Sequence, residues 1–260
     1  MLEISIPQFD LIYNAFSFTI AAMGAATIFF FLSRTQVGAA YRTAMTITGL
    51  VTLIACYHYF RIFQSWESAY TVTKGVITPT GVAFNDAYRY VDWLLTVPLL
   101  LIELILVMRL TRAETVSRGT RLGLLAAAMI ILGYPGEIAQ PGGTRWLFWA
   151  LAMVPFVVIV YELFTGLGES IGKQPQDVRG LVSSARWVLV LSWAFYPVVY
   201  ILPMLGLAGG AAETAVQVGY TIADIVSKVG MGLLVYAIAM RKSEIEASSG
   251  VGMSGLAAAE

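Results

Sequence analysis

The stretch RYVDWLLTVPLLLIEL, residues 89–104, decides the fold, because it is apolar enough for a lipid bilayer yet carries three ionisable side chains. These are Arg89, Asp92 and Glu103. A charged side chain near the bilayer centre costs several kcal/mol, so such residues usually face the interior of a helix bundle and serve a function. The stretch therefore predicts a membrane-spanning helix with one polar face.

The composition of the whole chain agrees with a membrane location. Of its 260 residues, 58% are hydrophobic and 12% are charged, and the mean hydropathy is +0.76. These values are typical of an integral membrane protein rather than a soluble domain. The formal charge is zero, and no dense basic cluster indicates a nucleic-acid partner. The single cysteine, Cys56, excludes an intramolecular disulfide.

Seven segments are long enough to span a bilayer, which takes about 20 mostly apolar residues in a helix. They are residues 8–32, 39–63, 84–109, 120–138, 144–167, 180–205 and 212–240. The fourth is the shortest. The alternating pattern of a transmembrane barrel strand does not recur. The predicted fold is therefore all-α, a bundle of seven transmembrane helices, in a multi-pass protein of a cell membrane such as the bacterial inner membrane.

The distribution of lysine and arginine predicts how the bundle is oriented. Eleven of these residues fall at one face, and only Arg61, Lys74 and Arg145 fall at the other. Positive residues collect on the cytoplasmic side, which places the N-terminus outside and the C-terminus in the cytoplasm. Residues 1–246 form a single predicted domain, and residues 247–260 form a short tail that we expect to be disordered.

The polar residues of the third span share one side of a helix. Arg89 and Asp92 are three residues apart, and Asp92 and Thr96 are four apart, so each pair lies on one face. Glu103 follows Asp92 by eleven residues, which is about three turns and about 16 Å along the axis. The two carboxylates are therefore expected on one stripe at different depths.

The seventh span contains DIVSK, residues 224–228, which places Asp224 and Lys228 on one face. A buried ammonium must pair or lose its proton. The two residues could be an ion pair that serves only packing, and Glu103 taken alone is more typical of a packing or lipid-interface carboxylate. A lysine in a dry pocket is also what Schiff-base chemistry requires, and the protonated imine would need a carboxylate such as Asp92 as its counterion.

Three motifs together resemble one family. They are RYVDWLLTVPLLLIE in the third span, WAFYPVVY at 193–200 in the sixth, and DIVSK in the seventh. Over nearly its whole length the chain resembles type I microbial rhodopsins, and in particular the proteorhodopsin, xanthorhodopsin and cyanobacterial branches of outward proton pumps. The resemblance implies a light-driven transporter, not an enzyme, with all-trans retinal bound to Lys228 as a protonated Schiff base.

The resemblance also implies a role for each polar residue. Asp92 matches the primary counterion and proton acceptor, and Asp224 matches the second counterion. Arg89 matches the arginine that tunes this cluster from outside. Thr96 and Glu103 complete the Asp, Thr, Glu triplet of proton pumps, with Glu103 as the cytoplasmic proton donor.

His58 is the only histidine in the chain and has two interpretations. It could be a core residue with its hydrogen bonds satisfied. Within the resemblance it matches a histidine that hydrogen-bonds the acceptor, so we expect it to contact Asp92.

The resemblance further predicts a chromophore pocket, although aromatic residues at these positions could be ordinary core. The residues expected to enclose the chromophore are Trp93, Trp193, Tyr196 and Pro197. Leu100 occupies the position that separates green-absorbing from blue-absorbing relatives, and its apolar side chain predicts green absorption. Trp149 stands where relatives that bind a carotenoid antenna have a glycine, so we expect no antenna.

Two other classes of protein remain open at this point. A photosensory rhodopsin that signals through a transducer shares the fold and pocket, but typically has no carboxylate at the position of Glu103. An unrelated seven-helix transporter or receptor would not require Lys228 beside Asp224. For a pump, the expected partners are protons, the lipid bilayer and further copies of the chain, in a trimer or pentamer.

Overall fold

The computed structural model of the chain describes residues 4–73, 76–140, 142–207 and 209–249. Within these residues, seven helical segments are long and apolar enough to cross a membrane. The predicted all-α bundle of seven spans is therefore confirmed. Lys74 and residues 250–260 of the predicted tail lie outside the described residues.

The helices follow one another with short connections. In chain order they are α1 Ile6–Ser33, α2 Arg42–Ala69, α3 Ala87–Met108, α4 Arg112–Glu137, α5 Gly143–Phe164, α6 Gly166–Gly172, α7 Gln176–Ile201, α8 Gly210–Asp224 and α9 Met231–Ser248. A 3₁₀ turn, Ala39–Tyr41, precedes α2, and another, Leu202–Leu205, follows α7. A π-helical turn, Ile225–Gly230, joins α8 to α9, so that these three elements form the seventh span.

The boundaries depart from the prediction at several places. The helix α4 begins at Arg112 rather than residue 120, because Thr111 and Glu114 form a capping box. The Glu114 amide donates to the Thr111 hydroxyl at 3.3 Å, and the Thr111 amide donates to the Glu114 carboxylate at 3.2 Å. The helix α2 continues to Ala69, and α9 continues to Ser248, two residues into the predicted tail.

A two-stranded antiparallel sheet follows α2 and was not predicted. Strand β1, Tyr70–Thr73, pairs with β2, Val76–Pro79. Tyr70 packs on Trp66 with ring centroids 4.7 Å apart, so the sheet rests on the end of α2. We call this end of the bundle the outer end, and the opposite end, where α3 and α9 terminate, the inner end. The sequence predicts that the inner end faces the cytoplasm.

The bundle buries the ionisable residues that the sequence analysis named in the third and seventh spans. The exposed fractions are 2% for Arg89, 1% for Asp92, 0% for Glu103 and 1% for Lys228. Close packing of α9 against α1 helps to exclude solvent from this region. A Cβ on Gly232 would lie 2.5 Å from the ring of Phe30, so only glycine allows the two helices to approach this closely. The polar face of α3 therefore points at the seventh span and away from lipid.

Candidate functional site

Lys228 lies between two carboxylates at the middle of the bundle. Its Nζ is 2.5 Å from Oδ1 of Asp224 and 3.1 Å from Oδ2 of Asp92. The π-helical turn carries Lys228, and such turns are frequent at functional sites because they alter the direction of a side chain. The structure thus brings together the lysine and both aspartates that the sequence predicted to be neighbours.

Asp224 is held by several hydrogen-bond donors. The Tyr59 hydroxyl donates to Oδ2 at 2.6 Å, and the Tyr196 hydroxyl donates to Oδ1 at 2.6 Å. The Trp93 indole donates to Oδ1 at 3.2 Å. Together with Lys228, these donors stabilise the charged carboxylate. Tyr59 was not predicted as a site residue, since tyrosine in an apolar span gives no polar periodicity.

Asp92 has a different environment from Asp224. Apart from its ion pair with Lys228, neither carboxylate oxygen accepts a hydrogen bond from another residue that the structure describes. The Thr96 hydroxyl donates to the backbone carbonyl of Asp92 at 2.8 Å and not to its carboxylate. Of the two carboxylates beside the lysine, Asp92 is therefore the one with free acceptor capacity.

His58 lies beside Asp92 without the expected hydrogen bond. Its Nδ1 is 3.9 Å from Oδ1 of Asp92, which is too long for a hydrogen bond. The same nitrogen lies 2.9 Å from the carbonyl of Ile54, one turn earlier in α2. That carbonyl can only accept, so Nδ1 carries the proton in this contact. His58 is a close neighbour of the acceptor, and its predicted direct bond to the carboxylate is not formed.

Arg89 is fixed on the outer side of the carboxylates. Its guanidinium donates to Gln217, and to the Tyr59 hydroxyl at 3.4 Å. Its Nε lies 3.5 Å from Oδ1 of Asp86. The guanidinium carbon is also 5.3 to 5.7 Å from three ring centroids, those of Phe16, Tyr59 and Tyr220. Cation–π contacts of this kind hold a buried arginine in place without neutralising it.

An apolar cavity extends from Lys228 between α3, α4, α5 and α7. All the predicted pocket residues line it: Trp93, Leu100, Trp193, Tyr196 and Pro197. It also involves residues that were not predicted, among them Tyr90, Met129, Gly133, Phe156 and Tyr220. Most of these are apolar or aromatic, and in a membrane helix such residues cannot be distinguished from lipid-facing ones by sequence alone.

Trp149 closes part of the cavity wall. It lines the cavity, and its indole donates to the carbonyl of Pro197 at 3.0 Å. The indole therefore bridges α5 and α7 beside the cavity.

Glu103 is separate from the lysine cluster, at the inner side of α3. It is fully buried, and neither of its carboxylate oxygens has a hydrogen-bond partner among the described residues. Its helical neighbours Leu100, Leu104 and Val107 are also buried. An unpaired carboxyl group in apolar surroundings is costly when charged, so this environment favours a group that holds a proton at rest.

Comparisons with known proteins agree with this geometry. Residues 11–242 match the family model described as bacteriorhodopsin-like protein. A green-light absorbing proteorhodopsin from a gamma-proteobacterium is 32% identical over 234 residues, which cover 89% of this chain and 88% of the relative. Bacteriorhodopsin from Halobacterium salinarum is 31% identical over 219 residues, or 82% and 78% of the two chains.

Solved structures show the same fold at higher identity. Xanthorhodopsin, described as a light-driven ion pump with dual chromophore, is 49% identical with a TM-score of 0.91. A thermophilic rhodopsin is 46% identical with a TM-score of 0.92. In both cases the match covers 95% of this chain and 99% of the other.

Proposed function

Because the chain belongs to the bacteriorhodopsin-like family of microbial rhodopsins, we propose that it is a light-driven pump that moves protons outward across the membrane. It is a multi-pass protein of the cell membrane. The observation that carries the proposal is the position of Lys228, within 3.1 Å of two buried carboxylates and next to an apolar cavity, with Glu103 farther along the helix that carries Asp92.

The cavity and the lysine fit all-trans retinal. Lys228 would supply the amine that an aldehyde needs once its ammonium gives a proton to a neighbouring carboxylate, and the aromatic walls of the cavity match an extended apolar polyene. Trp93, Trp193, Tyr196 and Pro197 would enclose the polyene, with Leu100 beside the Schiff-base end. When bound, retinal would supply a light-driven change of shape that lowers the proton affinity of the nitrogen joining it to Lys228.

The difference between the two aspartates decides which one takes this proton. The hydrogen bonds from Tyr59, Tyr196 and Trp93 keep Asp224 charged, so it acts as a fixed counterion. Asp92 has no such donors and can accept a proton without breaking any side-chain hydrogen bond. We therefore assign Asp92 as the acceptor and Asp224 as the second counterion.

Glu103 supplies the replacement proton from the inner side. It lies about 16 Å from Asp92 along the helix axis, as the rise of 1.5 Å per residue requires for eleven residues. Arg89 lies on the outer side, where it pairs with Asp86 and donates to Tyr59, which holds Asp224. With a donor on the inner side and an acceptor on the outer side, net movement is outward. A sensory rhodopsin would have no use for the buried Glu103.

The attachment site can be tested by colour. Purified Lys228→Ala incubated with all-trans retinal should show no shifted visible absorption, because Lys228 is the only lysine among the described residues that line the cavity. Lys173→Ala, which removes an exposed lysine, is the matched control and should colour like the unmodified protein. Circular dichroism checks that both variants are folded. A folded Lys228→Ala protein with the normal colour would refute the attachment site.

A further inference from the structure

A second buried lysine lies at the inner end of the bundle, outside the site described above. Lys242 on α9 is 7% exposed. Its Nζ donates to the carbonyls of Val107 at 3.1 Å and Met108 at 3.0 Å, and to Oε1 of Gln174 at 2.8 Å. All three N–H bonds of the ammonium are therefore used.

The acceptors of Lys242 are two backbone carbonyls and one amide, none of which is charged. Removing a cation from water is costly, and the three hydrogen bonds offset this cost together with the ring of Tyr41, whose centroid is 5.6 Å from Nζ. The carbonyls belong to the last turn of α3, where they have no partner within the helix and where a positive charge is favourable. Lys242 thus caps the inner end of the helix that carries Asp92 and Glu103.

Gln174 reinforces the same contact from the connection between α6 and α7. Its amide nitrogen donates to the carbonyl of Met108 at 3.1 Å and to that of Ser170 at 3.3 Å. Met108 is therefore held by both Lys242 and Gln174. We call Lys242, Gln174, Val107 and Met108 the inner clasp, because these residues join α9, α3 and the α6–α7 connection.

Glu103 lies next to the inner clasp, on the side farther from the inner end of the bundle. Val107 follows Glu103 by four residues and is on the same face of α3, one turn nearer the inner end. Glu103 is fully buried and Val107 is also 0% exposed, so neither side chain contacts solvent. In the proposed pump, however, Glu103 must regain a proton from the inner side in every cycle.

We propose that Lys242 is a positioning residue that holds the inner end of α3 closed over Glu103, so that release of the inner clasp sets the rate of proton uptake. This inference rests on the proposed function, because it assigns the step by which Glu103 is reloaded. It requires no new ligand: the clasp exchanges hydrogen bonds within the protein for hydrogen bonds to water when it opens.

The test compares neighbouring residues of α9. Lys242→Gln replaces the ammonium with a shorter, neutral amide, which has two N–H donors in place of three and cannot make all the hydrogen bonds of the clasp. Arg241→Gln removes one positive charge at the adjacent position, where the side chain is 45% exposed and pairs with Asp177 and Glu244. Proton uptake after a laser flash is followed with a pH-sensitive dye in the purified, retinal-loaded protein. Losing a hydrogen bond from a charged donor should speed uptake by about tenfold in Lys242→Gln, with less than a twofold change in Arg241→Gln.

Gln174→Leu provides a second route to the same result, should Lys242→Gln fail to fold. It removes one acceptor of Lys242 and one donor to Met108, so uptake should be faster here also. The double variant should be no faster than Lys242→Gln alone, because both changes open one clasp. Uptake that is unchanged in folded Lys242→Gln and Gln174→Leu, with only a lower thermal midpoint, would show that the clasp is a structural cap and would overturn the proposal.

A readout that does not depend on pumping separates the two proposals. Hydrogen exchange in the dark should be faster at the amides of residues 107–110 in Lys242→Gln than in Arg241→Gln. If the unmodified protein moved no protons while exchange was still faster in Lys242→Gln than in Arg241→Gln, the proposed function would be refuted. That result would still show that the inner clasp holds the inner end of α3 closed. Equal exchange in the two variants would exclude the clasp even in a working pump.

Discussion

Asp92 and Asp224 flank the same lysine, yet their hydrogen bonds give them different roles. Four donors surround Asp224, counting Lys228, whereas Asp92 has only the ion pair. The sequence predicted that both aspartates approach Lys228, because helical spacing decides which face a residue occupies. It could not predict the difference between them, since Tyr59, Tyr196 and Trp93 reach Asp224 from three other helices. The same limit applies to His58. It lies near Asp92, as expected, but its hydrogen bond goes to the carbonyl of Ile54.

This difference predicts unequal costs of neutralisation. Asp224→Asn places an amide N–H₂ among groups that all donate, whereas Asp92→Asn disturbs only the ion pair. Asp224→Asn should therefore be less stable than Asp92→Asn by about 1–3 kcal/mol, the cost of leaving a buried donor unpaired. Thermal unfolding of the two retinal-loaded variants checks this. Equal stabilities would contradict the assignment of Asp224 as the fixed counterion.

Glu103 predicts a kinetic effect without a large change in colour. Glu103→Gln keeps the shape of the side chain but cannot donate its proton, so reloading of the Schiff-base region should slow by about 100-fold, as is typical when an acid catalyst is removed. Flash spectroscopy measures the lifetime of the deprotonated state. Glu244→Gln, at an exposed residue of the inner end, is the control. An unchanged lifetime in Glu103→Gln would remove Glu103 as donor.

Leu100 predicts the colour of the protein. It is 1% exposed and lines the cavity, so its side chain lies against the region assigned to retinal. An amide dipole there would stabilise the positive charge of the ground state, so Leu100→Gln should absorb at shorter wavelength. Leu95→Gln, at a lipid-exposed position of the same helix, should keep its absorption maximum. A shift to longer wavelength in Leu100→Gln would contradict the placement of the Schiff-base end.

The seventh span shows what a single element contributes to the site. Its α-helix is interrupted by the π-helical turn Ile225–Gly230, which carries Lys228. The sequence predicted one continuous span, because an apolar pattern does not distinguish α from π geometry over six residues. Helix ends were also mispredicted, since α2 and α9 extend past the hydrophobic core, where polar residues no longer mark a boundary. The sheet β1–β2 was missed because each strand has only four residues.

Glycines of this span provide a test of its packing. A Cβ on Gly232 would lie 2.5 Å from the Phe30 ring and 2.6 Å from Cγ2 of Thr48, whereas one on Gly230 would meet no described atom within 4 Å. Gly232→Ala should therefore destabilise the protein by about 1–3 kcal/mol through overpacking. Gly230→Ala should be neutral or slightly stabilising, because alanine favours helices. The thermal midpoints of the two variants provide the measurement. A Gly232→Ala variant as stable as Gly230→Ala would contradict the close contact of Gly232 with Phe30 and Thr48.

Across the whole molecule, hydrogen bonds lead from the lysine site toward the outer end, whereas Glu103 on the inner side has no hydrogen-bond partner among the described residues. On the outer side, Tyr59 donates to Asp224 and accepts from Arg89, and Arg89 donates to Gln217. Gln217 in turn donates to Glu213 at 2.8 Å, so a hydrogen-bonded path leads from Asp224 to the outer end. On the inner side, Glu103 is fully buried and lies one turn from Val107 of the inner clasp. This arrangement supports outward transport, because the hydrogen-bonded path from the lysine site leads to the outer end.

The central claim of the account is net outward proton movement driven by light. The direct measurement is the pH of an unbuffered suspension of cells that express the protein with all-trans retinal, under illumination, with and without a protonophore. Cells expressing Asp92→Asn are the matched control. The account predicts acidification that the protonophore abolishes and that Asp92→Asn lacks. No pH change from visibly coloured cells, or alkalinisation that the protonophore enhances, would contradict it.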